Sequence, residues 1–143
     1  MKDSRDSKDS EGDEYAQRRR RELLDHIDGQ LDDERSSHRR RMQFLDEAAD
    51  AIAQSRTNYE LRLQDLGSTT MSIVNRRERP QDMADPMHAA TIDIERYRQE
   101  GLQMADRRLR RIEELRGQID EEHRRYMREL EESREQAGRK GNR

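Results

Sequence analysis

The sequence predicts an all-α protein: one long antiparallel two-helix hairpin, coiled-coil-like, that completes a bundle with a partner or by oligomerisation. Three observations predict it. Charged residues make up 44% of the 143 residues and apolar ones only 29%. Two long stretches space their apolar residues three and four apart, the a/d pattern of packed helices. The two prolines, Pro80 and Pro86, both fall in the short segment between those stretches.

Composition excludes the main alternatives. Leu, Ile, Val and Phe together number 20 of 143, about 14%, below the roughly 20% at which a chain usually fails to bury enough surface alone. There is one Phe, no Trp and a single Val, Val74. A sandwich, barrel or doubly wound sheet needs β-branched and aromatic residues for its core. A deep small-molecule pocket needs apolar walls.

Taken in order, residues 1–13 mix Lys, Asp, Ser and Gly without a period and read as a disordered acidic tail. The first helix is expected over residues 14–74. Its stripe runs Leu24, Ile27, Leu31, then Met42, Leu45, Ala49, Ile52, Tyr59, Leu63, Leu66, Thr70 and Ile73, interrupted by Arg56. Between Leu31 and Met42 the phase slips by four residues, a stutter that locally unwinds a supercoil without ending the helix. Gly67 is a weak point, because glycine inside a helix costs about 1 kcal/mol, and the helix could stop there.

The connection is expected over 75–86. Asn75 is a C-terminal stop signal, and Asp85 can cap a helix that opens on Pro86. The second helix is expected over 87–136. Met87, Ala90, Ile94 and Tyr97 begin its stripe. After a slip near Gly101, Ala105, Leu109, Ile112, Ile119, Tyr126 and Leu130 continue it, with Arg116 and His123 at seam positions between. Asp106–Arg110, Asp120–Arg124 and Glu121–Arg125 are acid-to-base pairs at i,i+4. Residues 137–143 read as a frayed basic tail.

A turn near residues 80–81 makes facing residues sum to about 161. Met42 then meets Ile119, Leu31 meets Leu130 and Ile52 meets Leu109. The seam is therefore Met42, Leu45, Ile52, Leu63, Leu109, Ile112, Ile119 and Tyr126. Leu23, Phe44, Leu61, Ile92, Leu102 and Leu115 lie off or beside it. Either they broaden the seam or they form a second face for another helix; the second reading is preferred in a chain so poor in apolar residues.

Net charge is −3, with six acids and three bases in residues 1–14, so residues 15–143 are neutral. Mixed-sign faces suit solvated helices and not a nucleic-acid binder, which carries a basic excess. The Arg clusters Arg18–Arg21, Arg39–Arg41 and Arg76–Arg77 fan around a helix axis or stand beside acids. Without Cys there is neither a disulfide nor a thiolate metal site. No run is long and apolar enough for a membrane span or a signal core. The expected location is cytoplasmic, with co-export alongside a partner left open.

Four His are present. His38 and His123 also sum to 161 and so face each other. They are either polar residues tolerated at the stutter, or a pH-sensitive clasp or two-His metal half-site. No phosphate-binding loop, nucleophile elbow or H-E-x-x-H occurs. The carboxylates lie on solvated faces, whereas a general acid needs burial. No catalytic, cofactor or metal residues are assigned, and the chain is read as a non-enzyme.

The hairpin plan and the segment RRIEELRGQIDEEHRRYMRELEE, residues 110–132, resemble the small helical partner proteins encoded beside LXG toxins of type VII secretion systems. That resemblance implies a helical adaptor or chaperone that binds the toxin's helical N-terminal domain and promotes its export. The stalk or escort proteins of flagellar and type III export ATPases are alternatives of the same shape. So is a self-associating, phage-scaffold-like structural protein. The expected partner is thus another helical protein or the chain itself.

Overall fold

The computed structural model describes residues 3–75 and 84–139, and these form two helices packed antiparallel. α1 spans Asp3–Asn75 and α2 spans Ala84–Arg139. The hairpin expected from the two stripes is the fold. Helices this long without interior breaks are what a sustained three–four repeat specifies.

The helix limits differ from the expected ones. α1 begins at Asp3 instead of Glu14, so residues 3–13 are helical where a disordered tail was expected. Residues 9–19 are all exposed. Once a packed segment has nucleated a helix, each further residue adds a hydrogen bond at little cost, and no proline stops propagation. α1 also passes through Gly67 to Asn75, and no described residue has positive φ. α2 begins at Ala84, so Pro86 sits inside its first turn, where backbone N–H groups have no intrahelical acceptor to lose. At the other end α2 reaches Arg139. Ala137, placed in a frayed tail by the sequence, is buried. The side chains of Asp85 and Met87 and residues 76–83 and 140–143 lie outside the described residues.

The chain divides into two compact units. The first comprises Met1–Gln43 with Gly117–Arg143. Its core is a cluster of Ile27, Leu31, Leu130 and Ala137, with Leu24 and Met127 packed against it. Leu31 and Leu130 share that cluster, as the register requires. Tyr126 does not take its expected seam place and is exposed, while its neighbour Met127 packs inward. The periodic stripe after His123 therefore runs through Met127 and Leu130. Asp28 pairs with Arg134 at 3.1 Å across the helices.

The stutter in this unit is filled by polar side chains. The His38 and His123 rings stack, with centroids 3.9 Å apart and planes 15° apart. Each ring also bonds a carboxylate of the opposite helix. His38 Nε2 lies 2.7 Å from Asp120 Oδ1, and His123 Nδ1 lies 3.1 Å from Glu34 Oε1. Arg41 donates to the same Glu34 oxygen at 3.0 Å. Both helices supply an acid one turn before a histidine, so the motif matches itself when the helices run antiparallel. Of the expected local pairs, Glu121–Arg125 forms at 3.9 Å, while Asp120 reaches across to His38.

The second unit is Phe44–Arg116. Leu45, Ala105 and Ile112 are buried there, and Ile52, Leu63 and Leu109 are half-buried. Arg116 and Asp46 meet at 2.6 Å and Arg56 and Asp106 at 3.6 Å. Asp106 thus reaches across to the charge that interrupts the stripe of α1, instead of turning to Arg110 one turn on. In each of these two pairs, as in Asp28–Arg134, the residue numbers add to 162. The expected register of 161 holds to one residue in both units. Exposed pairs of this kind are worth at most about 1 kcal/mol each. They set register more than stability.

One glycine in this unit is required by a close approach. The Tyr59 ring lies over the backbone of Gly101, and its hydroxyl donates to the carbonyl of Tyr97 at 3.0 Å. A Cβ on residue 101 would overlap Cε1 of that ring and stand 2.8 Å from Cδ1. Replacing Gly by Ala inside a helix otherwise gains about 1 kcal/mol. Gly101→Ala is therefore expected to stabilise the Tyr59→Ala variant by about that amount and to leave the wild-type chain no more stable. Thermal unfolding of the four chains checks this, and equal gains in both backgrounds would show the ring contact to be energetically idle.

Candidate functional site

Among the described residues, no group of three or more His, Asp or Glu side chains is placed to hold a metal ion. The two stacked imidazoles lie face to face, and each turns one ring nitrogen to a carboxylate of the opposite helix. What stands out is apolar surface left uncovered.

The second unit carries most of it. Tyr59, Leu61, Leu66, Met71, Ile73, Ile92, Tyr97 and Met104 are exposed large apolar side chains, all within residues 59–104. Tyr59, Leu66 and Ile73 are seven residues apart and occupy seam positions, yet Leu66 is 51% exposed and Ile73 50%. The a/d spacing of α1 continues toward Asn75, while the cover that α2 supplies at Leu45 does not. A stripe made to be covered is left open along this stretch. Large apolar side chains left exposed along one stretch point to an interaction site.

Chemistry of the backbone and side chains fits the same reading. Residues 66–75 (LGSTTMSIVN) contain no charge, in a chain that is 44% charged. Four of the seven Met, at positions 71, 83, 87 and 104, fall between residues 71 and 104. Methionine is flexible and polarisable and adapts to irregular partner surfaces. Thr70 returns its hydroxyl to the Leu66 carbonyl at 2.8 Å, which hides its polar atom within the helix. Beside Tyr59 an open groove of about 500 Å³ is lined by Ile52, Gly101, Met104 and Ala105 together with the charged Arg56, Glu100 and Arg108. Apolar side chains with charges among them are what a helix presents to another helix.

The six residues read from sequence as a second face divide. Leu23, Phe44, Leu61 and Ile92 are exposed. Leu102 and Leu115 are half-buried and so broaden the seam. The sequence reading missed Leu66, Met71, Ile73 and Met104. Periodicity assigned Leu66 and Ile73 to the seam, and periodicity reports which side a residue faces, not whether anything faces it. The charge-free run 66–75 is the signal that could have found them.

No described helix is long and apolar enough to cross a membrane. No known family, curated protein or solved structure matches the chain.

Proposed function

We propose that the chain is a non-enzymatic helical adaptor, and that its second unit receives an amphipathic helix of another protein. The observation that carries this reading is the open stripe at Leu66 and Ile73, with Met71, Ile92 and Met104 exposed in the same unit. A partner helix with an apolar face covers that stripe and extends the pair to a three- or four-helix bundle. The charged lining residues Arg56, Glu100 and Arg108 set register and reject helices that bring like charges. The resemblance of residues 110–132 to secretion partner proteins supplies the kind of partner: the helical domain of a secreted toxin, held until export.

The test uses the full chain co-expressed with such a toxin domain. The double variant Leu66→Asp, Ile73→Asp changes side chains that the hairpin does not bury, so circular dichroism should match the wild type. Co-purification with the domain should be lost at least tenfold. Retained binding by the helical variant would overturn this surface, and absence of binding by the wild-type chain would overturn the toxin domain as partner.

A further inference from the structure

In the first unit α1 runs on where α2 stops. The pairing of Asp28 with Arg134 sets Arg139, the last described residue of α2, level with Leu23. The α1 residues before Leu23 extend about 30 Å further at the rise of a helix, and every side chain over residues 9–19 is exposed. Charge on this stretch is split by sign. Residues 9–14 hold Asp9, Glu11, Asp13 and Glu14 and no base, residues 15–17 are uncharged, and residues 18–21 are all Arg. One stripe repeats the split. Glu11, Glu14, Arg18 and Arg21 follow at i, i+3, i+7 and i+10, the spacing of a packed helix face, and all four are exposed. The stripe continues to Asp25, one position and so about 100° around the helix from Leu24, which packs on the core. Of the four, only Glu14 and Arg18 stand close enough to meet within one helix. Glu11 and Arg21 are ten residues apart and meet only between copies.

We propose that this stripe is a self-association surface, and that its occupant is the same stripe of a second copy of this chain. A twofold axis perpendicular to a helix sets that helix antiparallel to its own copy. With the axis at Ala16, residues whose numbers add to 32 come level. Glu14 then meets Arg18 of the second copy and Glu11 meets Arg21, and the symmetry makes each pair twice. Beside the stripe, Asp13 comes level with Arg19 of the second copy. The order of signs is what makes the surface self-complementary. A parallel pairing of the same two stripes would set Glu on Glu and Arg on Arg, which like charge disfavours. Since the stripe points away from the core, the second α1 lies beside the hairpin and does not displace α2. The contact consists of exposed ion pairs, so it is weak and salt-labile. It uses no residue of the open stripe in the second unit, and either surface holds without the other.

The experiment is sedimentation equilibrium on the purified full chain, up to hundreds of micromolar, at about 20 mM and about 500 mM salt, which bracket weak and strong screening. At low salt the mass should rise with concentration toward twice the 17.2 kDa of one chain, and at high salt it should stay at one chain. Two variants separate the halves of the contact. Glu11→Arg with Glu14→Arg makes the stripe wholly basic, and Arg18→Glu with Arg21→Glu makes it wholly acidic. Each alone should remain a monomer at low salt, and the two mixed in equal amounts should form a heterodimer. The chain carrying all four changes is self-complementary again and should dimerise as the wild type does. A wild-type chain that is monomeric throughout overturns the proposal, and so does a dimer indifferent to salt. A single-sign variant that still dimerises, a mixture that does not, or a fourfold variant that fails to recover overturns it equally. The Leu66→Asp, Ile73→Asp variant should dimerise normally, which separates failure of this contact from failure of the docking surface.

Discussion

Ile112→Asp is expected to abolish most of the helical circular dichroism signal at 25 °C. Ile112 is 8% exposed, and no described side chain in either unit is fully buried. Removing a buried Ile forfeits roughly 1.5–3 kcal/mol of burial. Placing a carboxylate there adds the cost of desolvating a charge. Natural domains hold only about 5–15 kcal/mol in total, and among the described residues of the second unit just Leu45, Ala105 and Ile112 are buried. Leu45→Asp, at 6% exposure, should do the same. Ile112→Val is the control, with an expected loss of about 0.5–1.5 kcal/mol. A helical Ile112→Asp chain would mean that the seam lies elsewhere.

The second largest effect is expected at Glu34. Its carboxylate accepts from Arg41 and meets the His123 ring from the opposite helix. Arg41 already holds a buried Nε with no hydrogen-bond partner. Glu34→Ala strips the acceptor from two donors in a partly covered site. Leaving such groups unsatisfied costs about 1–3 kcal/mol. Urea unfolding followed by circular dichroism should show the midpoint falling with an unchanged slope. Glu34→Gln keeps one acceptor oxygen and should lose about half as much. Asp33→Ala, one residue away and exposed, should change nothing. A neutral Glu34→Ala variant would show that the histidine stack closes the helices without its carboxylate.

The hairpin was legible in the sequence because two independent stripes fix one register. Leu31 with Leu130 and His38 with His123 both follow from the position of the prolines. The start of α1 at Asp3 was not legible, because a charged segment without an apolar period can still propagate a helix that packing has begun elsewhere. Tyr126 was misplaced because one amphipathic residue beside Met127 can rotate out at almost no cost to the stripe. Asp106 was assigned to its own helix because spacing along a chain sees Arg110 and cannot see Arg56. The same blindness explains the candidate site. Leu66 and Ile73 obey the seam rule perfectly, and only the three-dimensional pairing shows that about half of each stays exposed.

Among the described residues, seven side chains are buried, and they are spread thinly along two helices. Selection for folding therefore grips few positions. Outside them, and outside the polar contacts at the stutter and Gly101, most substitutions that keep a helix former are nearly neutral. Such a surface can drift quickly, and it can be rewritten in small steps to follow a changing partner while the two helices stay as they are. A deep mutational scan for solubility would draw this as a sparse ladder of intolerant sites, with long permissive intervals in which new specificity can arise.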